Sequence, residues 1–358
     1  MHLKFWHGKR VFVTGHTGFK GSWLCLWLQS LGATVGGYAL DPVTNPNLFS
    51  LARVAEGMES MIANVKDLGT LRNAIDRFRP DIVFHLAAQP VVRLSYSEPV
   101  ETYATNVMGT VNLLEAVRHN DAVRAVVVVT SDKCYENHEW EWGYRESEPM
   151  GGHDPYSSSK GCAELVTSAY RASFFGNEGG GKTKAAIATV RAGNVIGGGD
   201  WTRDRLIPDI IRAIVESRPA AIRNPGAIRP WQHVLEPLAG YLLLAERLHD
   251  AGTEYAQAWN FGPRDQDCRP VSWIVSQLDR QWGGIRWEID DDPKPHEANY
   301  LKLDSSKAAN RLGWQPRWDL ATTLRSIVSW HQAHLAGADM RDVVLEQIAT
   351  FTSTQPKE

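Results

Sequence analysis

Short β-branched runs alternate with longer amphipathic stretches through the first half of the chain. Arg10 to Thr14 (RVFVT), Thr34 to Leu40, Asp81 to Leu86 (DIVFHL), Val123 to Thr130 (VRAVVVVT) and Ala185 to Val190 read as strands. The 123–130 run is apolar at nearly every position, the pattern of a strand covered on both faces of a parallel sheet. Between these runs, Gly18–Leu31, Lys66–Phe78, Val100–Arg118 and Pro155–Phe175 have helical spacing, and Gly32 ends the first of them. Strands alternating with crossover helices predict an α/β fold with a Rossmann-type, doubly wound parallel sheet.

Past Gly193 the alternation breaks down. Gly197 to Trp201 reads as a loop, Asp204 to Glu216 as a helix, and Pro219 to Trp231 as loops with a short strand. Val234 to Leu248 and Trp259 to Gly262 have the look of segments that rejoin the first unit. Thr352 to Glu358 reads as a frayed tail. The expected division is a sheet domain over 1–193 with returning segments near 234–262, and a smaller mixed α/β domain over 194–233 and 263–358.

Thr14-Gly15-His16-Thr17-Gly18-Phe19-Lys20-Gly21 is a GxxGxxG turn between a strand and a helix. Gly15 permits the tight turn, Gly18 a close approach of backbone to a pyrophosphate, and Gly21 close helix–strand packing. Asp41, twenty residues after Gly21, is placed to bond ribose hydroxyls and to repel a 2′-phosphate, which favours NAD over NADP. Lys20 and Arg53 are basic residues nearby that pull the other way. A second glycine run, Gly176 to Thr183, fits GxxxxGKT, but it follows a helix and precedes a strand, the reverse of what a P-loop needs. It is read as a surface loop.

Tyr156 and Lys160 form YxxxK on one helical face. A neighbouring ammonium and the nicotinamide charge would lower the phenol pKa and make Tyr156 a base. Ser131 stands at the end of the apolar strand. The glycine turn, Asn106, Ser131 and YxxxK together resemble the extended short-chain dehydrogenase/reductase superfamily over nearly the whole chain. That resemblance implies a Ser–Tyr–Lys hydride-transfer set. It also implies a cofactor groove of Gly15, Thr17, Gly18, Phe19, Gly21, Asp41, Asn64, Val65, Leu86, Ala87, Ala88, Asn106, Tyr156 and Lys160.

Directly after Ser131 come Asp132 and Lys133. Eliminating water across C5–C6 of a hexose needs a base at C5 and an acid at the C6 hydroxyl, and this pair offers both. The arrangement is similar to that of nucleotide-sugar 4,6-dehydratases, many of which carry Asp-Glu here. Lys133 would act as the base in its neutral form. GHTGFKGSWL (15–24), SDKCYEN (131–137), GGGDW with DRLIPD (197–209) and RPWQHVLEPL (229–238) resemble the branch of that family that acts on CDP-glucose. The resemblance implies CDP-glucose as substrate, a role in deoxysugar biosynthesis, and Gln89, Ser131 and Asn194 as substrate contacts. Arg205 and Arg229 are candidates for the diphosphate, because an arginine fork suits phosphate oxygens. His296 is placed over the nucleotide. The rival readings are a UDP- or dTDP-linked 4,6-dehydratase or 4-epimerase, and a non-catalytic NAD-binding sensor.

Composition narrows the partners. The 358 residues carry 38 basic and 41 acidic side chains, a formal net charge of −3. That balance lacks the dense basic face of a nucleic-acid binder. The four cysteines have no CxxC spacing, and no metal site is expected. No run of about 18 apolar residues suggests a membrane span, no signal peptide is read, and a cytoplasmic location is expected. Most of the 14 tryptophans are expected in cores or interfaces. The superfamily resemblance implies a homo-oligomer, dimer or tetramer, through helices 100–118 and 156–175.

Overall fold

A computed structural model describes residues 3–175, 185–290 and 299–355. The strands are β1 (Arg10–Thr14), β2 (Thr34–Ala39), β3 (Met58–Ile62), β4 (Ile82–His85), β5 (Ala125–Val129), β6 (Ala186–Arg191), β7 (Val195–Ile196), β8 (Ala220–Ile222), β9 (Ile228–Pro230), β10 (Gln232–His233), β11 (Ala258–Asn260), β12 (Cys268–Pro270) and β13 (Trp287–Ile289) among the described residues. Seven of them form one parallel sheet in the order β11-β6-β5-β4-β1-β2-β3. The order reverses beside β1, so the crevice beyond its carboxyl end is where such a sheet binds ligands.

The helices that matter here are α1 (Phe19–Ser30), α2 (Leu48–Leu51), α3 (Leu68–Phe78), α4 (Val92–Ser97), α5 (Pro99–Tyr103), α6 (Gly109–Arg118), α7 (Pro155–Phe174), α8 (Leu206–Val215), α9 (Leu235–Ala251), α10 (Val271–Trp282), α11 (Ser306–Leu312), α12 (Leu320–Leu335) and α13 (Met340–Ser353). Successive strand residues point to opposite faces. Val11, Val13, Ala125 and Val127 therefore enter the core shared with α1, α9 and α13. Phe12, Val126 and Val128 enter the core under α3, α6 and α7. Both faces are covered, which accounts for the unbroken valines of β5. A third core joins α8, β8, α10 and α12 around Ile210, Ile274 and Ile327. Among the tryptophans, eight are buried: 6, 23, 27, 231, 259, 314, 318 and 330.

Two features depart from the pattern-based reading. Met58–Ile62 forms the edge strand β3, although its sequence, MESMI, has little strand character. It sits on the rim with mostly exposed side chains, so the sheet, through its pairing with β2, supplies what propensity does not. The stretch 100–118 is not one regular helix. Residues Ala104–Met108 form a π turn between α5 and α6. The extra residue aims Asn106 inward, where its amide accepts from Gln89 N (2.8 Å) and donates to Ser159 Oγ (2.8 Å). Single π turns of this kind concentrate at functional sites.

Candidate active site

The glycine turn takes the form its spacing demands. Gly15 has φ +78°, and a Cβ there would lie 2.7 Å from Ala87 N. A Cβ on Gly21 would lie 2.1 Å from Gly15 O, so α1 can rest on the turn only if residue 21 is glycine. Gly18 is different. It caps α1 with no side-chain bond, and a Cβ there would meet nothing closer than Gly15 O at 3.4 Å. Its surroundings are open to a ligand, and the uncapped helix start offers backbone N–H groups to an anion.

The other expected cofactor contacts gather along the same sheet edge. Thr17 Oγ1 donates to Leu40 O (2.8 Å), holding the turn to the end of β2, where Asp41 is exposed. Tyr38 OH donates to Asn64 O (3.0 Å), beside buried Val65. Leu86, Ala87 and Ala88 follow β4, and Ala87 N donates to Thr14 Oγ1 (3.2 Å). Phe19 opens α1. Arg53 is engaged elsewhere, with its guanidinium 2.8 Å from Asp339. That leaves Asp41 as the charged side chain at the end of β2.

A cavity of about 510 Å³ opens beside this edge. Lining it are Ser131, Asp132, Lys133, Tyr156, Asn194, Arg205 and Arg229. Ser131 caps the one-turn 3-10 helix Asp132–Cys134: its Oγ accepts from Lys133 N (3.2 Å) and donates to Asp132 Oδ1 (3.1 Å). The same hydroxyl is hydrogen-bonded to Tyr156. Asp132 is buried, and its Oδ2 has no partner among the described residues. Lys133 is half-buried. Asp154 caps α7 through Ser157 N (2.9 Å), and Asn106 anchors the next turn through Ser159. These two contacts set the height and rotation of Tyr156 and Lys160.

The protein's own electrostatics set the state of Tyr156 before any cofactor binds. In the protein alone, the Tyr156 phenol is not lowered. Burial pushes it up to about 12, against the opposing pull of the Ser131 bond and the Arg205 charge. Lys160 is brought down to about 8 by burial, and its Nζ donates to Val129 O (3.3 Å). The ammonium is thus directed at the strand end.

One expected substrate contact is not in the cavity, and another lies outside the described residues. Gln89 is spent on structure: Nε2 donates to Thr102 (2.9 Å) and Oε1 accepts from Val91 N. It is not part of the cavity lining, where Pro90 stands instead. His296 lies outside the described residues, as does the 176–183 glycine run, although the flanking α7 and β6 have the reversed polarity read from sequence.

The cavity also holds residues that pattern reading did not place there. Lys20 lines it beside Asp132 and Asp200, and its amine is brought down to about 7 by burial and by the charges of Arg205 and Lys160. The signal was available: a base inside the glycine turn, on the first turn of α1, faces whatever the turn binds. Asp200 is buried and holds Arg205 at 3.0 Å. No group of three or more metal-type ligands occurs among the described residues.

A parallel sheet with an open glycine turn, and a Ser–Tyr–Lys set at the crevice edge, define a dehydrogenase-type active site, here with an added acid and amine. The family model for GDP-mannose 4,6 dehydratase matches residues 12–327. A CDP-glucose 4,6-dehydratase from Salmonella typhimurium is 58% identical over 350 residues, 98% of each chain. The chain belongs to the nucleotide-sugar 4,6-dehydratase family represented by these two. A dTDP-glucose 4,6-dehydratase from Streptomyces griseus is 28% identical, covering 90% of this chain and 94% of its own. Among solved structures, MoeE5 in complex with UDP-glucose and NAD superposes with a TM-score of 0.77 at 25% identity, over 91% of this chain and 99% of its own.

Proposed function

We propose that this chain is an NAD-dependent lyase that converts CDP-D-glucose to CDP-4-keto-6-deoxy-D-glucose and water. The observation that carries this is the meeting of Ser131, Asp132, Lys133 and Tyr156 in one cavity, where the hydroxyl and phenol for hydride transfer line the same space as the elimination pair. The glycine turn, Asp41 and Lys160 suit NAD, which when bound supplies a hydride acceptor for C4 and a donor for C6.

The protein's own groups handle the protons. Tyr156, whose phenolate the nicotinamide charge would favour once NAD is bound, takes the C4 hydroxyl proton, and Ser131 Oγ donates to the oxygen that becomes the ketone. The ketone acidifies C5–H, and Lys133, in its neutral form, removes that proton. Asp132 as the acid protonates the C6 hydroxyl, which leaves as water, and Lys133 returns its proton to C5. One cycle leaves Tyr156 protonated and Asp132 ionised. Ser131, bonded to both, provides the path that restores them. General acid–base steps of this kind contribute typically about 10²–10⁴-fold each.

Arg205, Arg229 and Asn194 hold the diphosphate along the cavity wall. The larger sheet domain (1–193, with 234–262) carries the cofactor and the smaller one (194–233 and 263–358) the nucleotide. Leu94, Tyr96, Val100 and Leu165 are exposed on α4, α5 and α7, a surface suited to pairing with a second copy of the chain. Incubation with CDP-glucose and NAD⁺ followed by alkali tests the activity. A 4-keto-6-deoxy chromophore with CDP-glucose is the expected result, and none with any nucleotide-glucose, despite bound NAD, would overturn it.

A further inference from the structure

Past the catalytic groups, the cavity runs along α8 and carries there a carboxylate with no part in the chemistry above. We propose that Asp209 is the residue that selects cytosine, by accepting a hydrogen bond from the exocyclic amine of the base. The proposal rests on the reading of the substrate as CDP-glucose.

Position is the first argument. Arg205 stands at the N-cap of α8, bonded to Asp200 and exerting its charge on Tyr156 and Lys20. Asp209 lies one turn further on, roughly 6 Å along the axis at 1.5 Å per residue. Both line the cavity. The electrostatic neighbours of Asp209 are Arg212, Arg223 and Asp204, and none belongs to the catalytic group. A substrate with its hexose at Tyr156 and its diphosphate at Arg205 therefore brings its base to the Asp209 end. Leu206, Ile222 and Val271 line that cavity too, giving apolar walls for a flat ring.

Availability is the second. The other acids of the cavity are committed. Asp154 uses both oxygens on Ser157, Asp200 bonds Thr202 N and Arg205, and Glu139 bonds the backbone and side-chain amides of Asn299. Asp204 is paired at Oδ1 with two arginines, Arg93 and Arg223, where Asp209 is bonded by one. Asp132 is part of the chemistry. Among the described residues the Asp209 carboxylate has one bond, from Arg212 Nη1 to Oδ1 (2.7 Å), which leaves Oδ2 for a ligand. Burial raises its carboxyl, against the nearby Arg212 and Arg223, so an incoming donor offsets a cost the site already bears.

Chemistry is the third. Cytosine presents an amine donor where uracil and thymine present a carbonyl oxygen, and a carboxylate accepts from the first and repels the second. Selection then includes a repulsive element, which attraction to a diphosphate or ribose cannot provide.

The test measures kcat/KM for CDP-glucose and UDP-glucose in the wild type, Asp209→Asn and Asp209→Ser, with far-UV circular dichroism as a folding control. Titration of the wild type with CMP and UMP gives an independent reading that needs no variant. The wild type is expected to favour the cytidine compounds. In both variants the CDP/UDP ratio should fall about ten- to hundredfold, as for loss of one good base contact, mostly through KM, while kcat for CDP-glucose stays within a fewfold. Variants that turn over CDP-glucose with an unchanged ratio overturn the proposal, as does equal wild-type binding of CMP and UMP. A wild type inactive on CDP-glucose overturns the substrate reading itself.

Discussion

Glu164 is the side chain on which the region behind the active site depends, and Glu164→Gln should cost the fold heavily. Its Oε1 accepts from Arg191 Nε (2.9 Å) and Thr130 Oγ1, and its Oε2 from Arg191 Nη2 (2.8 Å) and Thr189 Oγ1 (2.7 Å). Both ionised side chains are about 95% buried. The amide keeps the shape but removes the charge, and its NH₂ group faces donors. Arg191 would stay buried with Tyr135 OH (2.7 Å) and Glu146 O (3.2 Å) as its remaining acceptors. Breaking a buried pair from one side costs about 3–5 kcal/mol. Guanidinium denaturation followed by tryptophan fluorescence at neutral pH reads this directly. The pH dependence supplies a second check. The Arg191 guanidinium and the hydroxyl bonds hold the Glu164 carboxyl below its ordinary 4.5, despite burial. Its contribution is therefore fully present above pH 4.5 and is lost as pH falls through the lower folded value. The gap between wild type and variant should be flat above that point and shrink below it. A neutral-pH loss under about 1 kcal/mol, well short of the buried-pair range, would refute the reasoning.

Other expectations follow from the same contacts. Lys133→Ala should oxidise substrate but stall before elimination, so the reduced-cofactor absorbance persists and no keto-deoxy chromophore forms; full turnover would remove Lys133 from the base role. Tyr156→Phe should lose about 10²–10⁴-fold in the first hydride transfer, read by single-turnover absorbance. Gly21→Ala should abolish retention of NAD, measured as cofactor released on denaturation, because its methyl would lie 2.1 Å from Gly15 O. Glu236 is held up at about 7 by burial, despite accepting from Arg317 N and Trp318 N. Its protonated form is the one the fold favours, so its effect is felt as pH rises from 4.5 to about 7, where stability declines. Glu236→Gln should flatten that segment of the stability–pH curve, and an unchanged slope would count against it.

Local order was readable where one element carries the whole signal. The turn at 15–21 and the YxxxK pair at 156 and 160 each lie within a single turn or helix, so spacing alone puts their atoms together. β5 was readable because four successive valines admit no exposed face. What spacing leaves out is contact across elements. Gln89 is drawn from the cavity by Thr102, thirteen residues away, and Asn106 reaches Ser159, fifty-three residues away. Lys20 was visible as a charge, but its place among Asp132, Asp200 and Arg205 depends on three segments meeting. β3 is a strand because β2 offers it an edge.

Dehydration chemistry needs few added residues here because of the way β5 ends. β5 ends at Val129, and the next residues turn at once into a 3-10 helix capped by Ser131. In that tight helix, successive side chains point about 120° apart. A hydroxyl, a carboxyl and an amine on consecutive residues therefore fan out over one site. Tyr156 meets them from α7, a separate element fixed by its own caps. A change at residue 132 or 133 can alter what happens at C5 and C6 while leaving C4 oxidation intact. The fold thus separates elimination from oxidation, and the two variants Lys133→Ala and Tyr156→Phe should stall at different, spectroscopically distinct points. If both stalled before any cofactor reduction, that separation would be wrong, and Lys133 would belong with Tyr156 in the first step.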